Sequence, residues 1–88
     1  VVVIGYGLAG QFLTSSLKEL EIEVVALEMN SDNVNVGKEL GDPVYYADAT
    51  SEEALGHAHV HDCRAIVIMI NDHQATERVL STIERMKV

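Results

Sequence analysis

Three glycines with the spacing of a phosphate-binding loop stand near the start of the sequence. Gly5, Gly7 and Gly10 form G-x-G-x-x-G between the apolar residues 1–4 and a stretch with helical periodicity. In a strand–turn–helix setting, the first glycine permits the tight turn, the second lets the backbone approach a pyrophosphate, and the third lets the helix pack closely on the strand. The free N–H groups and the positive dipole end of the helix then face the phosphates. Residues 5–10, hereafter the glycine loop, are therefore predicted to bind phosphate through Gly5, Tyr6, Gly7, Leu8, Ala9 and Gly10.

Polar residues also follow the three later apolar runs of the sequence, each at the point where a strand would end. Glu28 closes the second run, Asp48 follows the third, and Asn71 with Asp72 follows the fourth. In an open sheet of parallel strands these positions collect at one edge, and ligands bind at that edge. The predicted binding residues outside the glycine loop are Glu28, Met29, Asn30, Asp48, Ala49, Thr50 and Asn71.

Each of these polar positions has a binding interpretation and a structural one. Glu28 either accepts hydrogen bonds from ribose hydroxyls and repels a 2′-phosphate, or is a solvated carboxylate at the end of a strand. Asp48 either reaches an adenine edge or organises, with Thr50, the turn before the next helix. We favour the binding role for Glu28 and Asp48. Helix capping suffices to explain Asn71 and Asp72, so a ligand contact there is an open alternative.

The elements that must position these residues are apolar strands that alternate with helices. Continuous apolar runs are typical of parallel strands covered on both faces, and right-handed crossovers predict the strand order 3-2-1-4. We therefore predict an α/β fold, a Rossmann-like parallel sheet with helices on both faces, in one domain over residues 1–88. A complete doubly wound domain is larger, so we expect a piece of a longer protein in which later strands complete the sheet. The predicted strands are residues 1–4, 22–27, 44–47 and 65–70, and the predicted helices are about residues 9–20, 32–40, 51–57 and 73–86.

Helical periodicity and capping signals predict how these helices sit on the sheet. In the first helix, the expected inward residues are Phe12, Leu13, Leu17 and Leu20. The expected outward residues are Gln11, Ser15, Lys18 and Glu19. In the last helix, the expected buried stripe is Ala75, Val79, Leu80, Ile83 and Met86. Thr50 and Glu53 have the spacing of a capping box and are expected to begin the third helix.

Charge and composition exclude several classes of partner. A net charge of −8 disfavours binding to nucleic acid or anionic lipid, so local backbone donors would have to hold a nucleotide phosphate. The apolar run at residues 65–70 is far too short to span a bilayer. Cys63 is the one cysteine, which excludes a disulfide framework and fits a reducing compartment. We favour a core position for Cys63 over a reactive thiol.

The alternating histidines His57, His59 and His61 raise the hypothesis of a metal site. Metal sites in short tracts usually add cysteines or carboxylates, and alternate spacing suits a strand, which this stretch does not resemble. We favour a loop in which Ala58 and Val60 are buried and the histidines point outward.

The residue pattern favours a binding module over an enzyme. The sequence contains no evident Ser/His/Asp or Cys/His arrangement and no acid–base pair. Hydride transfer also needs a substrate domain with its own acid or base, for which 88 residues leave no room. The alternative is the cofactor-binding half of an NAD-dependent dehydrogenase.

The sequence resembles the TrkA-N, or RCK (regulator of K+ conductance), nucleotide-binding domain over essentially its full length. The resemblance rests on V-V-V-I-G-Y-G-L-A-G at residues 1–10, Glu28, P-V-Y-Y-A-D-A-T at residues 43–50, and C-R-A-I-V-I-M-I-N-D at residues 63–72. Its most specific piece is the A-D-A-T turn at residues 47–50. The nearest variety is the domain attached to Kef-type monovalent cation:proton antiporters.

This resemblance implies a regulatory domain on a membrane channel or antiporter, in the same chain or a partner chain. Such domains lie in the cytoplasm at the inner face of the cell membrane, typically dimerise, and bind NAD(H), AMP, ADP or ATP. By position, the glycines would face the phosphates, Glu28 the ribose, and Asp48 with Ala49 the adenine. Leu8 departs from the family, in which many members carry arginine near the phosphates, and Ala47 replaces the usual glycine. The missing arginine leads us to expect NAD(H) or AMP, with ADP and ATP as weaker candidates.

Overall fold

The computed structural model describes residues 1–87, in which strands and helices alternate along the chain. The strands are β1 (Val2–Ile4), β2 (Val25–Glu28), β3 (Val44–Tyr46) and β4 (Ile66–Ile68). The helices are α1 (Leu8–Glu19), α2 (Ser31–Glu39), α3 (Glu52–His57) and α4 (His73–Met86), with a 3₁₀ turn at Val60–Asp62. The strands form one parallel sheet in the order β3-β2-β1-β4, which confirms the predicted α/β fold and strand order.

The central strand β1 is buried on both faces and supplies both layers of the core. Val2 and Ile4 point to one face, where the core includes Leu27, Leu55, Val60 and Val79. Val3 points to the opposite face, where the core includes Tyr6, Ala26, Val34 and Val44. This alternation is the period-two pattern of a strand, and covering both faces explains why β1 is apolar at every position.

Two glycines of the loop bring α1 close to the sheet, as the sequence predicts. Gly5 has a φ of +107°, and a Cβ atom there would lie 2.6 Å from the Met69 carbonyl oxygen. A Cβ atom at Gly10 would overlap the Gly5 carbonyl oxygen. A larger residue at Gly5 would therefore clash with the backbone that follows β4, and one at Gly10 would force α1 away from the end of β1.

The orientation of α1 differs from the one that its apolar residues predict. The fully buried residues of α1 are Gly10 and Thr14, whereas Phe12 is 76% exposed and Leu20 is also exposed. Phe12 stands two positions from Gly10, which places it on the opposite side of a helix with 3.6 residues per turn. The close contact at Gly10 therefore decides which face of α1 is inward.

Three further local predictions are wrong. The sequence places Ile22 in the second strand, but Ile22 is exposed and β2 begins at Val25, the residue that pairs with Val2. Ser51 rather than Thr50 caps α3, since its hydroxyl accepts the Ala54 N–H at 3.3 Å. In α4, Leu80 is exposed, because Val79 and Thr82 form the side that contacts the core.

Candidate functional site

The carboxyl ends of the four strands lie side by side, so the predicted site residues meet at one edge of the sheet. Ile4 is in register with Leu27 on one side and Ile68 on the other. Hydrogen bonds continue past the strand ends, from Gly5 N to Leu27 O at 2.9 Å and from Met69 N to Ile4 O at 2.7 Å. We call this edge, with the loops that follow each strand, the carboxyl edge.

Glu28 joins two of these loops through its carboxylate. Its Oε1 accepts the backbone N–H of Tyr6 at 2.6 Å, and its Oε2 accepts the backbone N–H of Asn30 at 2.8 Å. Glu28 is therefore a fixed group beside the glycine loop and not merely a solvated strand end. An ionised carboxylate has about four acceptor positions, which leaves capacity for ribose hydroxyls.

The amino end of α1 has the features of an anion-binding terminus. Gly7 is its N-cap residue and provides no side-chain cap, and the first turn contains no acidic residue. Apart from Gly7 and its two chain neighbours, no atom of residues 1–87 lies within 4 Å of a Cβ placed on Gly7, so the space beside this N-cap residue is open. The first amides of a helix lack intrahelical partners, and an anion placed there meets both these donors and the helix dipole.

The other helices differ because their own side chains occupy their first amides. Asn30 accepts the N–H groups of Asp32 and Asn33 at the start of α2. Asp72 accepts the N–H groups of Gln74 and Ala75 at the start of α4. Of the helices in residues 1–87 that begin at the carboxyl edge, α1 is therefore the one without a side-chain cap.

Asp48 organises the turn after β3. Its Oδ1 accepts both the hydroxyl of Thr50 at 2.6 Å and the backbone N–H of Thr50 at 2.9 Å. These two hydrogen bonds, together with the positive charge of Arg78, hold the pKa of Asp48 below its ordinary value. Asp48 therefore organises the turn before α3, as its structural interpretation predicts, and a contact with adenine stays a prediction.

The remaining predicted binding residues occupy different environments. Met29 and Asn71 are exposed, and Asp72 performs the capping that the sequence assigned to the pair at residues 71 and 72. Ala49 is buried in the core, so only its backbone is available to a ligand. Leu8 is 88% exposed in the first turn of α1.

Tyr6 has a side-chain role that the glycine-loop motif does not predict. Its side chain is 1% exposed, and its hydroxyl donates a hydrogen bond to Asp42 in the turn between α2 and β3. Ser15 and Lys18, which the helical pattern placed outward, also contact Asp42, at 2.6 Å and 3.0 Å. Only the backbone of Tyr6 therefore lies at the glycine loop. A tyrosine between two glycines was the one sequence signal that a large side chain is anchored there.

These contacts set the ionisation of the buried pair. Burial raises the pKa of Asp42, but the hydrogen bonds from Ser15, Tyr6 and Lys18 and the charge of Lys18 outweigh burial and hold it below its ordinary value. Burial, and then the hydrogen bond and charge of Asp42, raise the pKa of Tyr6. The carboxylate is therefore ionised and the phenol protonated at neutral pH.

The histidines and the cysteine lie away from the carboxyl edge, in the connection between α3 and β4. His57, His59 and His61 are exposed, and residues 1–87 contain no group of three metal-ligating side chains. Cys63 is half-buried against the core, and its thiol donates to the Val60 carbonyl at 3.0 Å. Within residues 1–87, no helix is both long and apolar enough to cross a membrane.

Solved structures similar to this chain include two nucleotide-binding or TrkA-N domains. The NAD(P)-binding domain of an exopolyphosphatase-related protein from Archaeoglobus fulgidus has a TM-score of 0.89 and 21% identity, which shows a shared fold alone. The TrkA-N domain of the inner membrane protein ybaL from Escherichia coli has a TM-score of 0.78 and 27% identity. Each comparison covers 96% of this chain and 63% of the solved chain.

Sequence relatives lie among potassium transporters. K(+) efflux antiporters 1 and 2, chloroplastic, from Arabidopsis thaliana are each 42% identical to this chain over 55 residues, or 62% of its length. The match spans 5% of the length of each antiporter. The family model of the TrkA-N domain matches residues 1–87, so the resemblance seen in the sequence is confirmed and the chain belongs to the TrkA-N domain family.

Proposed function

We propose that this domain binds an adenine nucleotide at the carboxyl edge and thereby regulates a K+ channel or K+/H+ antiporter. The observation that carries the proposal is the pairing of the uncapped α1 terminus with the Glu28 carboxylate, which is hydrogen-bonded to the glycine loop itself. The terminus suits a phosphate, and the carboxylate suits a ribose. A single nucleotide has both groups at adjacent positions.

The charges near the loop favour NAD(H) or AMP over ADP and ATP. Leu8 puts an apolar side chain in the first turn of α1, and the nearest cation of that helix in sequence, Lys18, is paired with Asp42. Backbone amides would therefore hold the phosphate against a chain whose net charge is −8. ADP and ATP carry more negative phosphate charge than NAD(H) or AMP, and each added charge increases the repulsion that these amides must offset.

The antiporter relatives support the assignment to ion transport. We propose a location in the cytoplasm, at the inner face of the cell membrane, and a homodimer that acts on a membrane domain of the same or a partner chain. A nucleotide can shift such a transporter only if it binds two conformations with different affinity. We propose that ligand bound at the carboxyl edge reshapes the loops after β1 and β4 and that α4 transmits the change. The domain itself performs no catalysis in this proposal.

A thermal-shift panel of NADH, NADPH, AMP, ADP and ATP tests the binding step. At a hundredfold excess over Kd, a ligand stabilises the folded state by about 2.7 kcal/mol, which raises Tm by roughly 10 °C or more in a domain of this size. The informative variant is Gly7→Ala, because Gly7 has a φ of −71° that alanine accepts and open space around its Cβ position. We expect Gly7→Ala to fold normally and to lose the shift, since the methyl group blocks close approach of phosphate.

Gly56→Ala is the matched control. Gly56 lies in α3, and its Cβ position is equally open among residues 1–87. This variant should retain the full ligand-induced shift. Absence of a shift with every nucleotide would contradict the binding step, and identical dimer geometry with and without saturating nucleotide would contradict the regulatory step.

A further inference from the structure

Tyr6 is held at both ends, by carboxylates from two different loops. Its backbone N–H donates to Glu28 at 2.6 Å, and its hydroxyl donates to Asp42. Glu28 ends β2 at the carboxyl edge, whereas Asp42 precedes β3 at the opposite end of the sheet. The ring of Tyr6 therefore spans the core between the glycine loop and the turn that precedes β3.

Asp42 is a firm anchor because three side chains converge on it. Its side chain is 1% exposed and accepts hydrogen bonds from Tyr6, from Ser15 Oγ at 2.6 Å and from Lys18 Nζ at 3.0 Å. Ser15 and Lys18 both belong to α1, the helix that begins at the glycine loop. One buried carboxylate thus fixes both the loop and the helix that follows it.

Helix α2 covers one side of the Tyr6 ring. A Cβ atom on Gly37 of α2 would lie 3.1 Å from Cε2 and Cζ of the ring, so α2 packs directly on it. Because the ring is rigid and α2 limits its movement on that side, we expect the position of the hydroxyl to be coupled to the backbone of residues 5–7. Hydrogen bonds to a buried charge are among the stronger ones in proteins. The hydrogen bond to Asp42 is therefore suited to hold the Tyr6 hydroxyl in place.

We propose that Asp42 is a positioning residue for nucleotide binding, which acts through Tyr6 to set where the glycine-loop amides stand. This inference rests on the proposed function, because it concerns the affinity of the same site. It adds a residue that lies at the far end of the sheet and touches no ligand. A site whose supporting groups are removed loses affinity even though every contacting group is still present.

The test compares two variants, each of which lacks one hydroxyl group that donates a hydrogen bond to the same carboxylate oxygen of Asp42. Tyr6→Phe and Ser15→Ala each remove one donor from Asp42 Oδ2, but only Tyr6 belongs to the glycine loop. Both variants should lose stability in urea unfolding. Tyr6→Phe should weaken the affinity for NADH or AMP by about tenfold, whereas Ser15→Ala should leave Kd within about twofold.

A second measurement needs no ligand. Amide hydrogen exchange in residues 5–10 should accelerate in Tyr6→Phe relative to Ser15→Ala, because only the first variant frees the loop. Should Tyr6→Phe fail to fold, Asp42→Asn keeps the volume of the carboxylate and weakens it as an acceptor, and it should produce the same localised change to a smaller degree.

The outcomes separate this inference from the proposed function. If the wild-type protein binds a nucleotide and the two variants lose affinity equally, or neither does, Asp42 is a core residue only and the inference is wrong while the proposed function stands. If loop exchange is the same in both variants, the inference is also wrong. If the wild-type protein binds no adenine nucleotide, the proposed function fails, and this inference fails with it.

Discussion

Glu28 Oε1 accepts the backbone N–H of Tyr6 at 2.6 Å, so the carboxylate at the end of β2 holds the glycine loop at the end of β1. Glu28 ends β2 and Tyr6 follows β1, and these neighbouring parallel strands have their ends aligned by register. One acidic side chain can therefore shape the loop and meet a ribose at the same time, and this dual position is the basis of the first prediction.

Replacement of Glu28 by glutamine should reduce discrimination between NADH and NADPH. The negative charge repels a 2′-phosphate, so its removal should lower the preference for NADH by about tenfold, or about 1.4 kcal/mol. Fluorescence titration of both cofactors measures the ratio of the two Kd values. Asp32→Asn is the matched control, because Asp32 is an exposed carboxylate in the first turn of the adjacent helix α2. An equal change in both variants would show that net charge, rather than the position of Glu28, governs the preference.

Gly10→Ala should destabilise the fold severely. The added methyl group would overlap the Gly5 carbonyl oxygen, so α1 must separate from the end of β1. Overpacking against backbone atoms cannot be relieved by a change of rotamer, and we expect a loss of roughly 3 kcal/mol or more in the free energy of unfolding. Urea denaturation of Gly10→Ala beside Gly56→Ala, whose methyl group meets open space, isolates the steric term. Equal stability of the two variants would contradict the close helix–strand contact.

Two buried threonines should respond differently to replacement by valine. Thr82 Oγ1 lies 3.0 Å from the carbonyl oxygens of both Thr50 and Arg78 and can donate its proton to either one. Thr82→Val removes this hydrogen bond and should cost about 1 kcal/mol. Thr14 Oγ1 is buried without a hydrogen-bond partner in residues 1–87, so Thr14→Val should be neutral or should stabilise by about 1 kcal/mol. Chemical denaturation of the pair measures both changes. Destabilisation by Thr14→Val would reveal a hydrogen bond to that hydroxyl in solution.

Asp42 should make the fold sensitive to acid. Its pKa in the folded protein lies below the ordinary value of 3.8, because the hydrogen bonds from Ser15, Tyr6 and Lys18 outweigh the effect of burial. A carboxyl group whose pKa is lowered by folding stabilises the protein above its unfolded-state pKa, and this contribution is lost as pH falls through the lowered folded-state value. We expect Asp42→Asn to flatten the pH dependence of the free energy of unfolding in that range.

Lys18→Met provides the complementary measurement for Asp42. Loss of the nearby positive charge should return the pKa of Asp42 towards its ordinary value, so the acid-induced loss of stability should be smaller and should be complete at a higher pH than in the wild type. Unfolding curves recorded from neutral pH downwards compare the three proteins. Parallel curves for all of them would show that Asp42 does not contribute to acid sensitivity.

Leu8→Arg should increase affinity for ATP more than affinity for AMP. Leu8 is highly exposed in the first turn of α1, so arginine fits there and brings a cation to the phosphates. The ratio of the ATP and AMP dissociation constants should shift by about tenfold in favour of ATP. Phe12→Arg adds the same charge to an exposed position one turn further along α1 and should leave the ratio unchanged. An equal effect of both substitutions would point to long-range attraction and not to a contact at the loop.

The alternation of apolar runs with glycine- and acid-rich turns was sufficient to predict the sheet order, the glycine loop and the gathering of Glu28 and Asp48 at one edge. These features depend on short-range patterns: β-branched runs make parallel strands, and right-handed crossovers order them. The sequence also predicted the structural roles of Gly5 and Gly10, because steric limits on the backbone act locally.

The tertiary structure alone decided which side of α1 faces inward and where the side chain of Tyr6 lies. Helical periodicity predicts that the side of α1 with the large apolar residues faces the core. The close contact of Gly10 with Gly5 turns a different side inward, so Phe12 is exposed. Asp42 and Tyr6 stand far apart in the sequence, and nothing in their local surroundings shows that they meet. A buried carboxylate is stable only where several donors converge on it, and that convergence exists only once α1, α2 and the glycine loop have packed together.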